Sequence, residues 1–247
     1  MRNLIVVFFI GIFSFVNQDK VTIYLVGDST MANKPLENNP ERGWGQVLPK
    51  FFNDKIAIEN HAKNGRSTKS FIDEGRWDSV MTKVKKGDYV FIQFGHNDAK
   101  IEDPKRYAEA HTTYKENLIR FVDDCTSKGA IPILLTSIVR RKFDDNGHLL
   151  DTHGDYPSVM REVAKAKNVL LIDMNEKSKK LVAEYGPEKS KLLYLHIEPG
   201  VYKLLPDGKK DDTHFSELGA IKMAELAVEG IRELNVDLVN YLKSEQP

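Results

Sequence analysis

Four short clusters in this 247-residue chain hold side chains that can act on an ester: Gly27-Asp28-Ser29-Thr30, Asn64-Gly65-Arg66-Ser67, Gly95-His96-Asn97-Asp98 and Asp211-Asp212-Thr213-His214-Phe215. A serine hydroxyl is a weak nucleophile. It must give its proton to a base as it attacks, and the base needs a third group to fix its tautomer. Ser29, His214 and Asp211 fit those three roles, because a carboxylate three residues before a histidine on a short turn can bond Nδ1–H and leave Nε2 facing the nucleophile. The oxyanion formed in acyl transfer needs donors already aimed at it. The backbone N–H of Ser29, the backbone N–H of Gly65 and the side-chain amide of Asn97 are the candidates. No Gly-x-Ser-x-Gly occurs, so the strained nucleophile elbow of the α/β-hydrolases is absent and a different fold must present Ser29.

The elements that must position these residues are legible as alternating patterns. Short β-rich runs at Val21–Gly27, Lys55–Asn60, Asp88–Phe94, Ile131–Ser137 and Val169–Asp173 predict five strands. Helical spacing predicts a helix from Pro104 to Ser127, with Cys125 on its buried stripe, and a final helix starting near Ser216. Strand and helix in turn imply a parallel sheet covered on both faces, with ligands at the carboxyl edge of the strands. Three of the four clusters follow the first three strands, and the fourth precedes the last helix.

In order and spacing the four clusters resemble the four blocks of the SGNH (GDSL-type) hydrolases. Within that superfamily, Gly27–Met31, Gly43-Trp44-Gly45, Asn64–Ser67, Gly87–Val90, Phe94–Asp98 and Asp212–Phe215 look like the rhamnogalacturonan acetylesterases. The resemblance covers nearly all of the chain after residue 20. It implies an α/β, three-layer α/β/α sandwich with a five-stranded parallel sheet (a flavodoxin-like fold), no cofactor, and removal of acetyl groups from pectic polysaccharide. Carried over, Ser29 is the nucleophile, His214 the general base and then acid, Asp211 its orienter, and Ser29, Gly65 and Asn97 the oxyanion hole. The family spacing favours Asp211 over the adjacent Asp212.

Composition narrows the partners. Lys plus Arg number 36 against 36 Asp plus Glu, so no electrostatic footprint for nucleic acid exists, and one cysteine excludes four-cysteine zinc sites. Residues 1–18 read as a signal peptide, with thirteen uncharged residues at Leu4–Val16, too short for a permanent membrane anchor. The expectation is a secreted or periplasmic catalytic domain over 19–247. Its partner is an acetylated polysaccharide or oligosaccharide. Lys34, Arg42, Lys63, Arg66, Lys69 and Arg140-Arg141-Lys142 are candidate contacts for galacturonate carboxylates, with a mixed-charge surface as the plain alternative. Asp151, His153 and Asp155 have metal-like spacing but read as a loop entering a helix, and no metal is expected. His196 and Glu198 are candidates to line the site. Acetylated xylan is the rival substrate. A metallophosphoesterase is disfavoured because the first strand ends without an Asp-x-His pair, and a non-catalytic glycan-binding module because every expected catalytic side chain is present.

Overall fold

The computed structural model describes residues 20–244. The proposed signal peptide therefore lies outside the described residues. Five strands, β1 (Val21–Gly27), β2 (Ile56–Asn60), β3 (Tyr89–Gln93), β4 (Ile131–Leu135) and β5 (Leu170–Ile172), form one parallel sheet in the order β2-β1-β3-β4-β5. This is the expected α/β/α sandwich. The alternation of a strand's side chains explains its two cores. Ile23, Leu25 and Phe91 face one layer with Trp44, Ala224 and Ile231, whereas Tyr24, Val26, Val90 and Ile92 face the other with Phe71, Trp77, Phe121 and Met160.

The first layer holds α1 (Trp44–Val47), and the second holds α2 (Thr68–Asp73), α3 (Arg76–Met81), α4 (Lys115–Ser127) and α5 (Tyr156–Lys167). The first layer is completed by α6 (Met174–Lys189) and α7 (Glu217–Leu234). Ser216 caps α7 by accepting from the Gly219 N–H at 3.1 Å, as its type predicts.

Two expectations need correction. The helix expected from Pro104 starts later: a π-helical turn at Ala110–Tyr114 runs into α4, with Glu109 accepting from the Thr112 N–H. Pro104 lies instead in a turn, where the Asp103 carbonyl accepts from Arg106 and Tyr107, and the Ala108 N–H is drawn to the Asp98 carbonyl at 3.1 Å. A turn closed by the residue before it overrides the first-turn preference of proline. Second, strand and helix do not alternate to the end. An antiparallel pair, β6 (Tyr194–Ile197) and β7 (Lys209–Phe215), precedes α7 and carries Asp211 and His214.

Candidate active site

The exit of β1 is tightly packed. A Cβ on Gly27 would lie 2.8 Å from the Gln93 carbonyl oxygen. Asp28, next in the chain, is fully buried and organises the turn: Oδ1 accepts the Thr30 N–H at 2.9 Å and hydroxyl at 2.8 Å, and its carbonyl accepts from Met31 and Ala32. Its Oδ2 meets Nδ1 of buried His96 at 3.1 Å. Burial alone would raise this carboxyl, but the charge and hydrogen bond of His96 and the two bonds from Thr30 outweigh it and hold the pKa at about 2. The turn leaves Ser29, 8% exposed, at the carboxyl edge of the sheet.

The hairpin brings the other cluster to the same edge, through a bridge of Phe215 to Arg42. His214 Nε2 lies 2.8 Å from Ser29 Oγ, and its Nδ1 lies 2.8 Å from Asp211 Oδ2. A carboxylate only accepts, so Nδ1 carries the ring proton and Nε2 accepts from the serine hydroxyl. Asp211 Oδ1 takes the backbone N–H groups of Thr213 and His214 at 2.9 and 3.0 Å. Partial burial would raise its pKa, but the His214 bonds and charge win and hold the carboxyl far below the usual range. Asp212 makes different contacts, with Arg141 Nη1 at 2.8 Å and His196 Nε2 at 2.7 Å.

The remaining two clusters close the edge beside Ser29. Gly65 takes φ +74°, a left-handed value that favours glycine, in the turn before α2. Ser67 then caps α2. Asn97 Nδ2 donates to the Arg66 carbonyl at 3.0 Å, so the amide stands against the Gly65 turn. Among the described residues, neither the Ser29 nor the Gly65 backbone N–H has a protein acceptor. Ser29, His214, Asp211, Gly65 and Asn97 are thus all gathered at the carboxyl edge of the sheet. The arrangement can deprotonate a serine and offer donors to an oxyanion.

Other candidates are placed elsewhere. Lys34 is buried between Glu41 at 2.7 Å and Asn64 at 2.6 Å. Arg66 pairs with Glu74, Lys69 with Asp73, and Arg42 donates to the Asn39 and Glu41 carbonyls. Arg140 donates to the His96 and Thr152 carbonyls, and Arg141 to Asp212 and Ser190. Lys63 and Lys142 remain exposed. Most of these cations therefore brace the loops. His196 and Glu198 line a cavity of about 960 Å³ bordered by Lys191, Lys209 and Lys210, whose lining does not include Ser29, His214 or Asn97. Asp151, His153 and Asp155 do not converge: Asp151 accepts the His153 N–H, while exposed Asp155 pairs with His111. His153 is buried edge-on to His96 with ring centroids 4.7 Å apart, and burial followed by the charges of His96 and Arg140 depresses its pKa to about 2. Cys125 is buried, which pushes its thiol up to about 12. The His96–Asp28 contact and the Asp103–Arg106 pair beside Asn97 were not read from the sequence; only the Gly-His-Asn-Asp spelling signalled the first.

A family model for the GDSL-like lipase/acylhydrolase family matches residues 25–220. The chain is 42% identical over 92% of its length, and 96% of the other's, to rhamnogalacturonan acetylesterase RhgT of Bacillus subtilis. It is 38% identical over 91% of its length, and 98% of the other's, to a probable rhamnogalacturonan acetylesterase, YesY, of the same organism. Among solved structures, the YxiM protein of Bacillus subtilis superposes with a TM-score of 0.76 at 28% identity, covering 88% of this chain and 58% of that one. An acetylxylan esterase from Geobacillus stearothermophilus shares the fold, with a TM-score of 0.62 at 16% identity over 91% of this chain and 97% of that one.

Proposed function

The chain belongs to the GDSL-like lipase/acylhydrolase family, and on that premise we propose that it is an exported carbohydrate esterase that removes O-acetyl groups from pectic rhamnogalacturonan through an acetyl-enzyme on Ser29. The observation that carries the chemistry is the contact chain Ser29 Oγ to His214 Nε2 to Asp211 Oδ2, each link 2.8 Å long. The substrate class rests on relatives 42% and 38% identical, matched along nearly their whole length and named for that activity. Export rests on the apolar run at Leu4–Val16.

In the first step Ser29 Oγ attacks the acetyl carbonyl while His214 Nε2 takes the hydroxyl proton. The carbonyl oxygen becomes an oxyanion facing the Ser29 and Gly65 N–H groups and the Asn97 amide. As the tetrahedral species collapses, the sugar oxygen leaves with the proton from His214. Water, deprotonated by the same ring, then cleaves the acetyl-enzyme to acetate and free Ser29. Asp211 holds the ring tautomer throughout and stabilises its charged form.

Acetate release from acetylated rhamnogalacturonan and from acetylxylan, measured with wild type and Ser29→Ala, tests the reading. The expectation is a preference for the pectic substrate and no turnover by the variant. Turnover by Ser29→Ala would overturn the mechanism, and a preference for xylan would overturn the substrate.

A further inference from the structure

The loop between β3 and α4, which replaces the expected first turns of a helix, places a guanidinium beside Asn97 and the Gly65 turn, two of the three candidate oxyanion donors. Arg106 Nη1 lies 3.4 Å from Asn97 Oδ1, and 3.7 Å from where a Cβ on Gly65 would stand. Asp103 Oδ2 holds the same guanidinium at Nε (2.6 Å) and Nη2 (2.5 Å). The Asp103 carbonyl accepts the Arg106 N–H at 2.9 Å, which closes the turn around the pair. Both side chains are partly shielded, at 31% and 26% exposure.

A carboxamide can rotate by half a turn and exchange oxygen for nitrogen at little steric cost. In the oxyanion role Asn97 must show N–H, not oxygen, to the reacting carbonyl. Its Nδ2 already donates one N–H to the Arg66 carbonyl. With Arg106 donating to Oδ1, the reversed amide would set oxygen against that carbonyl and N–H against a cation. Both contacts would be repulsive, so the two partners select one orientation and leave the second N–H for the oxyanion. A cation at the amide oxygen also draws electron density from the amide and strengthens that N–H as a donor. At 3.4 Å the contact is a long one, and its influence on the amide is indirect.

Resting on the esterase reading above, we propose that Arg106 is a positioning residue for the oxyanion hole: held by Asp103, it orients and polarises the Asn97 amide. Arg106→Met is assayed for kcat and KM on an uncharged acetate ester, 4-nitrophenyl acetate, in the wild-type and the Asn97→Ala backgrounds. In the wild-type background kcat falls about tenfold with KM changed less than about twofold, the size of one charged hydrogen bond acting indirectly. In the Asn97→Ala background the same substitution costs less than about twofold, because the group through which it acts is gone. Asp103→Asn, which leaves the arginine in place but loosens its fork, gives a smaller fall in kcat, and serves if Arg106→Met does not fold. Equal losses in both backgrounds overturn the proposal, as does a loss carried by KM alone. An active wild type with Arg106→Met and Asp103→Asn unchanged in kcat sinks this proposal only. A wild type that cleaves no acetate ester, or an active Ser29→Ala, sinks the esterase reading beneath it.

Discussion

Asp98 Oδ1 accepts both the backbone N–H and the hydroxyl of Thr68, at 2.8 and 2.6 Å. Asp98 directly follows Asn97, and Thr68 opens α2 just after the Gly65 turn. One carboxylate oxygen therefore sets the spacing between the loops that carry Gly65 and Asn97, two of the three proposed oxyanion donors. Its other oxygen, Oδ2, is buried with no hydrogen-bond partner among the described residues.

That unpartnered oxygen gives the fold a pH dependence. Burial raises the Asp98 carboxyl most strongly, the Thr68 bonds lower it, and the charge of Asp28 raises it again, leaving a pKa of about 7 against an ordinary 3.8. Above 3.8 the unfolded chain releases this proton while the folded one keeps it, so stability falls as pH rises until the folded group also ionises near 7. Asp98→Asn does not titrate. Thermal unfolding from pH 5 to 8 should show the wild-type midpoint falling relative to that of the variant. Parallel curves would mean that Asp98 is ionised throughout.

Asn97→Ala removes the one side-chain donor among the three proposed for the oxyanion. Loss of one oxyanion donor costs about 2.7–4 kcal/mol of transition-state stabilisation, so kcat should fall roughly 10²–10³-fold with the fold retained. Steady-state kinetics on a chromogenic acetate ester checks this, and a loss under about tenfold would remove Asn97 from the hole.

Adjacent aspartates on β7 should respond in opposite ways. Asp211→Asn keeps the size of the side chain but lets the ring take the wrong tautomer, and should lower kcat by about 10³–10⁴-fold, with the unfolding midpoint also lowered because the fold favours that carboxylate ionised. Asp212→Asn breaks the contacts to Arg141 and His196 instead. It should leave kcat within about threefold and act, weakly, on stability, as a half-exposed ion pair does. Kinetics and unfolding of both variants decide; a larger kinetic loss in Asp212→Asn would reassign the orienting acid.

The sheet and its edge were legible because β1, β3 and β4 are largely apolar runs, and the clusters that hold Ser29, Gly65 and Asn97 come just after β1, β2 and β3. The hairpin was not. Lys209 to Asp212 are four consecutive charges, and β7 is held by pairing to β6 and by the buried Phe215 end, not by an apolar face of its own. The loop beside Asn97 was hidden for a related reason: Pro104 and the apolar spacing beyond it favour a helix locally, and the turn at Asp103 with the Ala108 bond to Asp98 overrides them. The loop cations were ambiguous because Glu41 and Asn64 meet Lys34, and Asp212 meets Arg141, only through the fold. Ser29, Gly65 and Asn97 escaped that problem, since each lies one short loop from the strand that positions it.

Gly43-Trp44-Gly45 packs directly behind the serine turn, and Gly43→Ala tests how much that support matters. A Cβ on Gly43 would lie 2.1 Å from the Ala32 carbonyl oxygen and 2.7 Å from the Met31 backbone, atoms that cannot rotate away as a side-chain end could. The Trp44 N–H donates to the Thr30 carbonyl at 2.9 Å, and its indole Nε1 to Gln93 Oε1 at 2.8 Å, so the segment cannot retreat without breaking bonds to the turn that presents Ser29. Overpacking of this kind costs about 1–3 kcal/mol, more where backbone must move, and for a domain of this size about 2–4 °C of midpoint per kcal/mol. Gly43→Ala should therefore unfold several degrees lower. Because the strain falls on Met31 and Ala32, which bond the Asp28 carbonyl, kcat on the acetate ester should fall as well, even at temperatures where the variant is fully folded. A variant as stable and as active as wild type would show that the serine turn tolerates displacement and does not depend on this close approach.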